Sequence, residues 1–410
     1  MKGILKKRAL SFILFTTFLT FMGFSIIIPV LPFIVKKYVP VGHMNLVAWY
    51  VGMIMSIYAL CQFLSAPGLG ALSDRFGRRP ILLISLFGSV VGYIIFGIGG
   101  SLGMLFLGRI VDGLTGGNVS TIYSYIADIT EPKDRGKYFG MLGAAGGVGF
   151  MVGPVIGGTA SLISLSAPLY LAAGVTFINM VWGFFILPES IHEDNRVKKL
   201  DLSHLNPFVQ FNHIFSVPAL KWLFGISFLF FLALMAMQGN ASVYLHDIFL
   251  WNPTQMSVVF FVIGLVDILS QGFLVRKLLP LFGDYKVALL GLIFSLLGFG
   301  IYASISYFHS GMFLYMGVVI LITGDGLVEP SLSGLISNAV GPHMQGRVQG
   351  ANQGMQSVAR IIGPLGAALL YQQWRGLPYL VGVFLMGAAI VSLFFSLPIL
   401  KSHTVQLKVK

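Results

Sequence analysis

Apolar runs long enough to cross a bilayer follow one another from end to end of this chain, separated by short polar breaks. A bilayer core takes about 20 mostly apolar residues as helix. Runs of that kind cover residues 10–35, 47–72, 81–100, 102–127, 138–163, 168–188, 222–245, 254–275, 287–308, 311–338, 348–372 and 377–400. They predict an all-α integral membrane protein of about twelve transmembrane helices. One break differs from the rest. Residues 189–221, ESIHEDNRVKKLDLSHLNPFVQFNHIFSVPALK, are polar, charged and central. They divide the chain into a six-helix half over 1–188, a cytoplasmic linker over 189–221 and a six-helix half over 222–410.

The two halves repeat. A shift of 210 residues lays Asp74 on Asp284, Gly88 on Gly298, Gly116 on Gly326, Pro132 on Pro342 and Gly153-Pro154 on Gly363-Pro364. Single glycine matches mean little in a chain with 50 glycines, but two prolines and an aspartate at the same offset do. Pseudo-symmetric six-helix halves suit a transporter that rocks about a site at their interface, near the middle of the membrane.

Composition agrees with a membrane protein. Only 10% of residues are charged, against about 25% in a soluble domain. The net charge of +12 could suggest a nucleic-acid partner, but the cations lie in the breaks between apolar runs and form no patch. With both termini inside, the cytoplasmic breaks and tails take most Lys and Arg, among them Arg75, Arg78, Arg79, Lys133, Arg135 and Lys137. Only Lys36, Lys37 and Arg375 fall outside. That is the positive-inside bias. The lone Cys61 rules out an intrachain disulfide. The basic start MKGILKKRAL runs into an apolar stretch that continues to Val35. A signal-peptide core is about 7–15 residues, so this segment reads as a retained first helix.

Four stretches carry a resemblance. Between the second and third runs the chain reads GALSDRFGRRP, Gly70–Pro80. This predicts tight turns at Gly70 and Gly77, an acid at a helix end (Asp74) and three cations in a cytoplasmic loop. Residues 140–158 read GMLGAAGGVGFMVGPVIGG, with Gly149, Gly153, Pro154 and Gly157 on a small-residue face where another backbone can approach closely. The fourth run holds LGRIVDGLTGG and the first holds PVLP. Together these resemble the major facilitator superfamily, its twelve-span drug/proton antiporters, and most of all the tetracycline-exporter branch. The resemblance implies the major facilitator fold and a cytoplasmic latch at Asp74. It implies an ion pair from Arg75 or Arg78 to Asp128, at the end of the fourth helix. The chain departs from the branch at Thr20, where its members carry an aspartate. It also has no acid within 287–308, and Asp112 stands where glutamine is frequent. The resemblance leaves the cargo open.

Charges inside the apolar runs supply the candidate chemistry, because an ionised group there is expensive unless paired or hydrated. They are the acids Asp112, Asp267, Asp325 and Glu329 and the cations Arg109 and Arg360. The eight histidines lie in loops, tails or helix ends, so proton coupling falls to the acids. Arg109 and Asp112, three apart, share a helix face, as do Asp325 and Glu329, four apart. Like charges that close oppose joint ionisation, and the second pair is expected to titrate as a coupled unit. Gln349, Gln353, Gln356 and Arg360 make one polar stripe, flanked by Asn352. Depth counting puts Arg360 level with Asp325, and Asp267 level with Glu329. Gln238, Asn240 and Asn118 are further cavity-lining candidates. Each also suits a bond between helices.

No nucleophile–base pair, Walker loop, dinucleotide fingerprint or metal-ligand spacing is visible, so neither an enzyme nor a cofactor is expected. The expectation is a monomeric exporter in a bacterial cytoplasmic membrane, driven by the proton gradient. Its partners are protons, the lipid bilayer and a small amphipathic substrate, cationic or zwitterionic. Two rival readings remain open: a transporter of one metabolite, siderophore or lipid-linked glycan, and a membrane sensor that does not transport.

Overall fold

The computed structural model describes residues 3–40, 43, 45–131, 134–191, 196, 218–340 and 344–409. Most of the expected linker, and the repeat partners Pro132 and Pro342, lie outside the described residues. Among the described residues every regular element is a helix. In order these are α1 (Gly3–Ser25), α2 (Leu31–Lys36), α3 (Asn45–Phe76), α4 (Arg78–Ile98), α5 (Leu102–Thr115), α6 (Val119–Ile129), α7 (Arg135–Ala160) and α8 (Ala167–Ile186). There follow α9 (Pro218–Phe249), α10 (Pro253–Leu269), α11 (Val275–Phe308), α12 (Gly311–Asn338), α13 (Gln345–Gln373) and α14 (Leu377–Val409). They make twelve crossings, as the apolar runs predict.

Three predicted crossings are not single helices. Residues 10–35 break after Ser25, because Pro29 and Pro32 cannot donate to a continuing helix; α2 starts afresh with proline in its first turn. Residues 102–127 break at a 3₁₀ turn over Gly116–Asn118. Gly117 is pressed there against α3: a Cβ on it would lie 2.8 Å from Ser65 Oγ. The eighth crossing continues from α10 through a π turn, Ser270–Leu274, straight into α11. The break between the eighth and ninth crossings falls at Gly283, whose φ of 74° suits only glycine.

The chain forms two compact units. Among the described residues, the first takes in those within Met1–Met44, Ile57–Pro207 and Trp251–Phe261, and the second those within Asn45–Ser56, Phe208–Leu250 and Val262–Lys410. In the first, α1 packs on α7, and α4 on α5 and α8. Phe12, Ile13, Leu82, Leu86, Ile122, Tyr125 and Leu142 fill its core. In the second, α9 packs on α13 and α14, and α11 on α12 and α14. Leu220, Leu223, Phe224, Ile336 and Val348 form a core cluster there.

The repeat in the sequence is a repeat in packing. Gly88 of α4 meets Thr115 of α5, and Gly298 of α11 meets Leu321 of α12. Gly153 of α7 lies against Ser25 and Met22 of α1, while Gly363 of α13 lies against Met235 and Ala236 of α9. In each pair a Cβ on the glycine would come within 3 Å of its neighbour. Equivalent glycines therefore set equivalent helix separations.

Candidate functional site

The second unit gathers three carboxylates. Asp325 and Glu329 lie one turn apart on α12, and both are half-buried. Asp267 lies near the end of α10, just before the π turn. It accepts a hydrogen bond from Gln271 Nε2 at 2.9 Å. A π turn inserts extra backbone into a helix and re-aims the side chains around it. Here it carries the buried Ser270 onto Gly326, where a Cβ would be 2.5 Å from Ser270 Cβ and 3.5 Å from Asp267 Oδ1. The bare backbone of Gly326, next to Asp325, thus lets α10 approach α12 and brings Asp267 to the pair. The charges of Asp267 and Glu329 both act on Asp325; those of Asp267 and Arg360 act on Glu329. Asp267 is thus common to both acids. Among the described residues no group of three or more His, Cys, Asp or Glu side chains is arranged to hold a metal ion.

The polar stripe of α13 separates into different roles. Asn352 is buried, and its Oδ1 accepts from Ser227 Oγ of α9 at 2.7 Å, a bond between helices. Gln349 Nε2 donates to Ser333 O at 3.3 Å and ties α13 to α12. Gln353 is exposed and Gln356 half-buried. On α9, Gln238 is half-buried and Asn240 is buried next to Tyr379.

The first unit holds the other buried charges. Arg109 and Asp112 form the ion pair that their spacing predicts, with Nη1 3.3 Å from Oδ2, and both are almost fully buried. The guanidinium also faces three rings: Phe96 at 5.0 Å, Tyr58 at 5.2 Å and Tyr93 at 5.9 Å to the centroid. Asn118, in the 3₁₀ turn, is buried and lines a small cavity with Asp112, Thr20 and Tyr93.

At the end of α3 the residues of the Gly70–Pro80 motif converge. Arg78 pairs with Asp74 one turn back, and its Nε reaches Asp128 Oδ2 at 3.1 Å. Arg78 also donates from Nη1 to Ser73 Oγ at 2.6 Å. Arg75 instead lies over the ring of Phe76 at 5.1 Å. Of the two expected turns only one exists. Gly77 turns the chain, with φ of 106°, whereas Gly70 lies inside α3, which remains helical to Phe76. Gly70 instead faces α6, a Cβ on it falling 3.8 Å from Ser120 Oγ.

A residue the motif did not announce completes this corner. Glu189 accepts from the backbone N–H groups of Arg78 at 2.8 Å and Arg79 at 3.2 Å, capping α4. Gly77 has no side chain to clash with that carboxylate, from which a Cβ would be only 2.3 Å away. Ser190 Oγ donates to Asp128 Oδ2 at 2.8 Å, and Tyr125 Oη to Pro188 O at 2.8 Å. The only signal in the sequence was an acid where an apolar run ends.

The small-residue face of α7 is a contact with α1. Cβ atoms on Gly149, Gly153 and Gly157 would stand 2.2, 2.0 and 2.1 Å from Phe18 O, Ser25 Oγ and Ile26 O. Pro154 lies inside the same helix, which continues to Ala160.

Comparison with known proteins follows the same lines. The sequence profile described as Major Facilitator Superfamily matches residues 13–364. The tetracycline resistance protein, class C, of Escherichia coli is 34% identical, over 92% of this chain and 94% of that protein. Multidrug resistance protein 2 of Bacillus subtilis is 27% identical, over 94% of each. The crystal structure of the human organic anion transporter MFSD10 (TETRAN) superposes with a TM-score of 0.70 at 23% identity. That match covers 95% of this chain and 99% of the human one, and it speaks for the fold.

Proposed function

The chain belongs to the Major Facilitator Superfamily, and we propose that it works there as a proton-coupled exporter of small amphipathic compounds, cationic or zwitterionic. The observation that carries this reading is the charge inventory of the second unit. Asp267, Asp325 and Glu329 share one electrostatic neighbourhood with Arg360. Three carboxylates against one guanidinium leave an excess negative charge within the apolar crossings. Either a proton or a cationic substrate can balance it, and the two compete. Such competition is the basis of exchange. A deprotonated cluster takes substrate from the cytoplasmic side, and protons arriving from the outer side displace it.

The names of the relatives extend the reading to cargo. Tetracycline resistance and multidrug resistance proteins cover almost the whole chain, and tetracycline is the first substrate to try. The same reading places the protein in the cytoplasmic membrane with both termini inside, working as a single chain. The proton gradient is its energy source, without a bound cofactor.

The test is proton release from the purified protein in weakly buffered proteoliposomes as substrates are added one at a time. The panel holds tetracycline, lipophilic cations and neutral analogues. The reading expects release with the charged amphipaths and none with the neutral analogues. Silence across the panel would favour a dedicated transporter of another compound or a sensor.

A further inference from the structure

The first unit contains a buried acid of different build, and its surroundings hold more than an ion pair. The contact between Arg109 and Asp112 is single: one guanidinium nitrogen, Nη1, stands 3.3 Å from Oδ2. Nε and Nη2 of Arg109 have no hydrogen-bond partner. This is not the two-pronged geometry by which a buried Arg–carboxylate pair offsets its desolvation. The guanidinium is held instead by the faces of Phe96, Tyr58 and Tyr93. That attraction does not depend on the charge of Asp112. The acid can therefore change its charge without leaving Arg109 unsupported.

A cavity opens beside the carboxylate. Thr20, Tyr58, Ser89, Tyr93, Asp112 and Asn118 line it, and its volume is about 10 Å³, room for about one water. Two acceptors in its lining lack a hydrogen bond: Asn118 Oδ1 has no partner, and Asp112 Oδ2 has only the 3.3 Å ion contact with Arg109 Nη1, on side chains about 2% exposed. Thr20 already donates its hydroxyl hydrogen to Thr16 O at 2.9 Å, so its oxygen offers a further acceptor. A water here can donate to those oxygens and accept from the hydroxyls of Tyr58, Tyr93 or Ser89, and a dry cavity would leave the oxygens unsatisfied.

We propose that this cavity is a water site and that its water delivers a proton to, and removes one from, Asp112. On protonation a hydronium ion in the cavity gives one proton to Asp112 Oδ2. An O–H bond forms on the carboxyl, one O–H bond of the hydronium breaks, and neutral water stays behind. The ion pair with Nη1 is lost, and Arg109 remains against its three rings. Loss of the proton to the same water restores the pair. The titratable and charged groups that face Asp112 are Arg109 on its own helix, Tyr58 from α3 and Tyr93 from α4. Ser89 of α4 lines the same cavity as the carboxylate. The site is separate from the Asp325 cluster and stands or falls independently of it.

Acid-minus-alkaline infrared difference spectroscopy on the full-length protein in lipid nanodiscs tests it. The expected result is a protonated-carboxyl stretch that shifts in D₂O, vanishes in Asp112→Asn and persists in Glu329→Gln. A single water O–H stretch that shifts in ¹⁸O-water should accompany it and disappear in Asn118→Leu, which fills the cavity. Asn118→Leu and Ser89→Ala keep Asp112 in place and should move the midpoint of its band, which covers the case where Asp112→Asn fails to fold. A carboxyl band unchanged by Asp112→Asn overturns the proton site, and a water band unchanged by Asn118→Leu overturns the water. Failure of export in Glu329→Gln bears on the other site and leaves this result untouched.

Discussion

Glu189 accepts the backbone N–H of Arg78 at 2.8 Å, so a residue beyond the sixth crossing caps the helix that forms the third. The same oxygen also takes the N–H groups of Ser190 and Ile191, and the other takes that of Arg79. The carboxylate thus joins the Gly77 turn to the residues that follow the sixth crossing. Removing a cap and its favourable charge at a helix N-terminus costs about 1 kcal/mol. Glu189→Ala should lower the thermal unfolding midpoint in detergent, with Glu189→Gln in between. Equal midpoints for wild type and alanine would show that the Glu189 cap does not stabilise this corner.

Arg78 is the hub of that corner, with only 8% of its side chain exposed and with Asp74, Asp128 and Ser73 around it. Lysine keeps the charge but not the planar fork. Arg78→Lys should destabilise by about 2 kcal/mol, as expected when hydrogen bonds to charged groups are lost. Arg75→Lys should stay near wild type, because Arg75 is placed over an exposed ring. Unfolding curves of the two variants side by side distinguish hub from bystander.

The contact between α7 and α1 makes a steric prediction. A Cβ on Gly153 would stand 2.0 Å from Ser25 Oγ and 2.6 Å from Met22 O, and the backbone oxygen cannot swing aside. Gly153→Val should cost about 3 kcal/mol or more through overpacking and reduce folded yield and transport together. Gly147 on the same helix has nothing within 4 Å of its Cβ position. Gly147→Ala should be neutral or add about 0.5–1 kcal/mol through helix propensity. Size-exclusion profiles and unfolding midpoints check both.

Substrate binding should depend on pH with a fixed sign. Acidification neutralises carboxylates, so the attraction of the Asp267, Asp325 and Glu329 cluster for a cation is present at high pH and lost as pH falls. A cationic substrate should bind at least about tenfold more weakly on the acid side, roughly 1.4 kcal/mol. Asp267→Asn and Glu329→Gln should flatten that dependence. Affinities measured across pH on wild type and both variants test it; a neutral substrate analogue should show no slope.

The sequence made some of this visible and hid the rest for a physical reason. Whatever depends on one helix was legible. The twelve crossings follow from length and hydropathy, the Arg109–Asp112 pair from a spacing of three, and the glycine face of α7 from a spacing of four. Contacts between helices far apart in the chain were not legible. Depth counting levelled Arg360 with Asp325, but it cannot see that Ser270 and Gly326 bring Asp267 to the pair, or that Arg360 acts on Glu329. Gly70 looked like a turn because it opens the loop motif, yet α3 stays helical as far as Gly77. Glu189 looked like linker because it follows an apolar run.

In the proposed function the carboxylates of the second unit couple transport to protons. Inverted membrane vesicles with an imposed pH gradient, acid inside, test it directly. The account predicts gradient-driven tetracycline uptake by wild type and its loss, at normal expression, in both Asp325→Asn and Glu329→Gln. Full uptake by both variants would contradict it.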